Sequence, residues 1–108
     1  MSKPISLWGP ITADTTPETV FTNVTSTAAI LDTMTMANPS GGAATNIILS
    51  IGADGATTRE IVYPIAAGPI TAIVYPGIVI TGTTIVQLSS SATDDIVVTS
   101  GNGRLFAV

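Results

Sequence analysis

Seven carboxylates (Asp14, Glu18, Asp32, Asp54, Glu60, Asp94 and Asp95) and three cations (Lys3, Arg59 and Arg104) are the whole charged complement of this 108-residue chain. Histidine and cysteine are absent. That excludes Ser-His-Asp and Cys-His nucleophiles, the usual zinc sites, iron–sulfur clusters and disulfides. Carboxylate chemistry is what remains. A calcium loop needs several oxygens close together, and Ser89, Ser90, Ser91, Thr93, Asp94 and Asp95 would supply them, but without the D-x-D-x-D-G spacing. Paired aspartates before a strand equally serve as a solvated cap that blunts a sheet edge. A glycosidase would need two carboxylates flanking a cleft, and nothing in the spacing brings any two together. The expectation is a non-enzyme without metal or cofactor.

Asp32 is the one carboxylate inside a strongly strand-forming segment. A buried lone charge pairs or takes up a proton, so Asp32 either meets Arg59 or Arg104 across a subunit boundary or its end of the face is wet. Gly101-Asn102-Gly103-Arg104 has the composition of an anion-binding turn, but no helix follows it, and a hairpin turn is expected. Asn23-Val24-Thr25 matches a glycosylation sequon; without a secretion signal it reads as a Thr-rich strand end. Ile61-Val62-Tyr63-Pro64 recurs as Ile73-Val74-Tyr75-Pro76, either as matched aromatic contacts or because Tyr and Pro both suit strand termini.

The elements that must position these groups are strands. The chain holds 18 Thr, 14 Ile and 9 Val, side chains that suit a pleated, half-buried surface. Residues 1–18 contain Pro4, Pro10 and Pro17 and are expected to form an extended N-terminal arm, anchored by Ile5, Leu7, Trp8 and Ile11 on another subunit. Residues 19–108 are then a single domain. Strands are expected at Thr19–Val24, Thr27–Ala37, Asn46–Ala53, Thr57–Tyr63, Ile70–Tyr75, Ile78–Ile80, Thr83–Ser89, Ile96–Ser100 and Arg104–Val108. Asn38-Pro39-Ser40-Gly41-Gly42, Asp54-Gly55 and Gly101-Asn102-Gly103 are read as turns, Asp54-Gly55 as a tight type I′ hairpin. In Thr27–Ala37, strict alternation puts Ile30, Asp32, Met34 and Met36 on one face. Short strands at this spacing predict an all-β, jelly-roll-like sandwich of about eight antiparallel strands. Its core is expected to hold Ile30, Ile47, Leu49, Ile51, Ile61, Val62, Ile73, Val74, Ile78, Ile80, Val86, Leu88, Val97 and Phe106.

Only 9% of residues are charged and the net charge is −4. No basic footprint for nucleic acid exists, and a surface of Thr and Ser with so little charge suits a chain covered by neighbours. Ile61–Ile80 is apolar enough to suggest a membrane span, yet three prolines there would break a helix in lipid. The start of the chain lacks the apolar run of a secretory signal.

The strand Thr27–Ala37, the turn MANPSGGAAT, the strand NIILSIG, and then ADGATTREIVYPIAAG, YPGIVI and VQLSSSATDDIVVTSGNG resemble small β-sandwich virion proteins of tailed bacteriophages. The likeness covers about residues 19–104 and consists mostly of turn chemistry. Such modules serve as head decoration or minor capsid proteins and as parts of tails and fibres, and carry no catalytic residue. The resemblance implies a virion protein made in the host cytoplasm and bound to the major capsid protein or other virion proteins, as a homo-oligomer with a trimer favoured. Tail or fibre subunits, carbohydrate-binding modules and adhesion domains are the alternatives. Tyr63 and Tyr75 join the four arm residues as expected interface positions.

Overall fold

The computed structural model describes residues 3–52, 59–91 and 97–107. Nine strands are found among them: β1 (Lys3–Thr12), β2 (Glu18–Thr22), β3 (Thr27–Asn38), β4 (Thr45–Gly52), β5 (Arg59–Ile65), β6 (Ile70–Val74), β7 (Ile78–Thr81), β8 (Ile85–Ser90) and β9 (Val98–Ala107). One sheet has the order β1-β9-β3-β6, with β7 also pairing β3; the other is β2-β8-β4-β5. All pairings are antiparallel. Five of them nest, β1 with β9, β2 with β8, β3 with β7 and with β6, and β4 with β5 innermost, as in one long hairpin, and the β3–β9 and β4–β8 pairings roll it into two sheets. The expected jelly-roll-like β-sandwich is therefore present.

The core lies between the sheets. Ile47, Leu49, Val86 and Val97 are wholly buried and Ile51, Ile78, Ile80 and Leu88 nearly so. They are the inward members of alternating strands, as the period of 2 requires. Met34 and Met36 are wholly buried, as expected of the face they share with Ile30, but so is Leu31, which departs from the expected phase of β3. Leu31 pairs Gly103 and Thr33 pairs Asn102, so Asp32 is an extra residue bulged out of the ladder. A bulge resets the alternation: Leu31 and Met34, three apart, both point inward, and Ile30 is left only half-buried. Val62 and Ile73, expected inside, are 54% and 55% exposed. They sit on β5 and β6 at sheet ends, where one face of the strand is wet. Ile61 and Val74 pack against the core from half-buried positions, and Phe106 is likewise half-buried.

Two further expectations are corrected. The arm is not separate from the domain, because Lys3–Thr12 forms the edge strand beside β9, with register shifts after Ser6 and after Trp8. An edge accommodates prolines and bulges that a central strand would not, and the sheet supplies the cover that Leu7 and Trp8 need. Gly101-Asn102-Gly103 is not a turn either: it runs through the middle of a continuous β9. A Cβ on Gly101 would overlap the Trp8 ring, and one on Gly103 the Ile30 carbonyl. These glycines are thus required by close approach of neighbours rather than by chain reversal. The Asp54-Gly55 hairpin lies outside the described residues, although Ile51 pairing with Arg59 carries the β4–β5 ladder to its edge.

Candidate functional site

Polar side chains organise both ends of the sandwich. At one end Asn23, 2% exposed, aims Nδ2 at the carbonyls of Thr27 (2.8 Å), Gly82 (2.8 Å) and Val24 (3.3 Å). Its backbone N–H donates to Thr84 O at 2.8 Å. The sequon asparagine is therefore a staple between the β2–β3 and β7–β8 connections. Asn38, also 2% exposed, does the same elsewhere, donating from Nδ2 to Ala43 O (2.9 Å) and Ala66 O (3.0 Å). Its Oδ1 is buried without a hydrogen-bond partner, facing Gly42, where a Cβ would overlap it. Each buried amide ties irregular loop carbonyls, which offsets the burial of its N–H donors, whereas the Asn38 oxygen has no such compensation.

Asp32 meets Arg104. Nε donates to Oδ2 at 2.9 Å and the terminal Nη2 to Oδ1 at 3.0 Å, a bidentate fork within one chain. Both side chains are about two-fifths exposed. The bulge turns Asp32 toward β9, and the carboxylate raises the Arg104 pKa by hydrogen bonding and charge. A half-exposed pair of this kind fixes geometry more than it stabilises.

Of the six residues expected at an interface, two are spent inside the domain. Leu7 is 8% exposed and Trp8 6%, and Trp8 Nε1 donates to Thr99 Oγ1 at 3.4 Å. Ile5, Ile11 and Tyr63 are half-buried against the core. Burial raises the Tyr63 pKa above the usual 10, opposed by the nearby Arg59 charge. Only Tyr75 stands free, at 74% exposure. The repeated Ile-Val-Tyr-Pro tetrapeptide is therefore used in opposite phases: Ile61 and Tyr63 turn inward with Val62 out, whereas Val74 turns inward with Ile73 and Tyr75 out.

The exposed apolar set consists of Val24, Val62, Ile70, Ile73, Tyr75, Val79 and Val98. Sequence reasoning placed Val62 and Ile73 inside and passed over Ile70, Val79 and Val98, although the alternation of β7, with Ile78 and Ile80 buried, already sends Val79 outward. Asp94, Asp95 and most of the proposed calcium loop fall outside the described residues. Among the described residues, no three of His, Cys, Asp or Glu cluster closely enough to hold a metal ion. No described helix is long and apolar enough to cross a membrane.

No known protein family's sequence profile matches this chain, and no curated protein sequence does. Two solved structures are similar to this chain. One is from work on Bacillus endospore appendages that form a novel family of disulfide-linked pili, at 12% identity and a TM-score of 0.59, covering 100% of this chain and 88% of that one. The other is from the infectious bursal disease virus Gx strain, at 13% identity and a TM-score of 0.49. This chain covers 31% of that viral chain, and 97% of this chain is aligned. At 12% identity the likeness to the appendage protein is one of fold.

Proposed function

We propose that this chain is a structural subunit of a phage virion, a decoration protein that binds the outside of an assembled head shell through its major capsid protein. The observation that carries an assembly role is the exposed apolar set on a chain only 9% charged. Large apolar groups left in water are a standing incentive to association. The turn motifs shared with phage β-sandwich proteins supply the virion context. A decoration protein that binds the lattice and not free subunits would stabilise the shell by mass action, by about 2.7 kcal/mol per site at a hundredfold excess over Kd. Adding the purified chain to undecorated particles should produce co-sedimentation, new density on the shell by electron microscopy and a higher particle melting temperature. Density on the tail with unchanged shell melting would overturn the decoration role.

A second reading is a filament subunit of a tail, fibre or surface appendage, favoured by the fold it shares with the endospore appendage protein. Without cysteine, copies of this chain would have to join by non-covalent contacts. A sugar-binding role draws less support, because stacking on sugars uses exposed aromatic faces and Tyr75 is the only strongly exposed ring among the described residues.

A further inference from the structure

No charged residue occurs between Glu60 and Asp94, and this stretch contributes Val62, Ile70, Ile73, Tyr75 and Val79 to the exposed apolar set. A chain of net charge −4 repels its own copies, and here it presents apolar side chains with no charge among them. Within this stretch β6 has a particular arrangement. Ala72 and Val74 pack against the core, while Thr71 and Ile73 are exposed, as alternation along one strand requires, and so is Tyr75 directly after the strand's end. At the Thr71 end, Ala37, Pro39, Pro69, Ile70, Thr71 and Val98 line an open, mainly apolar hollow of about 430 Å³. At the other end stands the Tyr75 ring. Knob and hollow are four residues apart, or about 13 Å along the strand, with Ile73 midway between them.

We infer that this outer face of β6 is a contact between two copies of the chain, related by a two-fold axis that passes at Ile73, in the plane of the contact and perpendicular to the strand. Such an axis reverses the strand direction, so Thr71 and Tyr75 change places. The ring of each copy then enters the hollow of the other, and the two Ile73 side chains meet on the axis. A knob and a hollow equidistant from one residue form a self-complementary surface, which is what an isologous contact needs. Tyrosine is well suited to anchor it, because its ring buries a large area at the cost of two rotors and its hydroxyl can stay at the wet rim. Edge-to-edge pairing is the poorer route: β5 carries Pro64, β1 and β2 have register shifts, and β6 and β7 are short strands separated by Tyr75-Pro76-Gly77, all devices that blunt an edge. The contact deepens the assembly reading, and rests on it only for its biological use.

The test is sedimentation velocity of the purified full-length chain between about 1 μM and about 1 mM. A reversible dimer is expected. Tyr75→Ala, which removes the knob, and Thr71→Trp, which fills the hollow, should each weaken it by about 30-fold or more. Both positions are exposed, so thermal midpoints should stay near wild type; if Thr71→Trp melts early, Val98→Glu obstructs the same hollow. Mixing the two variants leaves one intact knob facing one intact hollow, and the mixture should dimerise more tightly than either alone. A monomer throughout, a closed trimer, a dimer indifferent to these substitutions, or a mixture no tighter than its components would overturn the contact. None of those results bears on shell binding, which co-sedimentation reads independently.

Discussion

Leu49 lies between Leu88 and Ile61 in the ladder and is wholly buried. Leu49→Ala should therefore cost about 2–5 kcal/mol in denaturant unfolding, the lost transfer energy plus the cavity left behind. Gly101 tests the opposite fault. A methyl there would overlap the Trp8 ring, so Gly101→Ala should cost about 1–3 kcal/mol by overpacking. Adding Trp8→Leu should recover part of that loss, a coupling that a turn glycine would not show. Tyr63 carries a pH dependence. Its pKa is raised in the fold because burial disfavours the phenolate, so its contribution is fully present below about pH 10, the unfolded value, and is lost as pH rises through the higher folded value. Absorbance titration should show a tyrosine ionising late, and Tyr63→Phe should remove that step. Alternation made Leu49 readable from sequence alone. The Trp8–Gly101 contact was not readable, because its partners are more than ninety residues apart and either glycine looks like a turn.

At the scale of elements, β1 is the instructive case. Its prolines indicated a segment unable to sit in the middle of a sheet, and it is indeed an edge. The local sequence could not reveal that β9 would accept it with two register shifts, burying Leu7 and Trp8. Deleting residues 2–12 should consequently destabilise the domain rather than trim an appendage. Lower thermal midpoint and binding of a hydrophobic dye are the expected results, and an unchanged midpoint would contradict the edge-strand role. In β3, one bulged residue at Asp32 put Leu31 rather than Ile30 on the buried face that Met34 and Met36 share. Period-2 reasoning carries no signal for an inserted residue, since the bulge is defined by the partner strand.

For the whole molecule, the same scarcity of charge that suggests assembly also sets its salt dependence. Affinity for a shell or for a second copy would come from shape and apolar contact, so it should change by much less than tenfold between low and high salt. Binding that collapses as salt rises would point to a charged contact instead. The exposed apolar residues lie on both sheets, Val62 on β5 of one and Ile70, Ile73, Val79 and Val98 on β6, β7 and β9 of the other.

Composition and periodicity were sufficient for the fold class, for the strand positions apart from β1 and the unbroken β9, and for the inward residues Ile47, Leu49, Ile51, Ile78, Ile80, Val86, Leu88 and Val97. Those depend on local backbone preference and on burial of every second side chain, which neighbouring residues specify. The tertiary structure alone decided which strands became edges, where the bulge fell, that Asn23 and Asn38 would staple loops, and that Val62 and Ile73 would face water. Each of these is set by a partner distant in sequence. A β-sheet assigns its pairings through long-range ladders, and no local pattern records which strand will lie alongside.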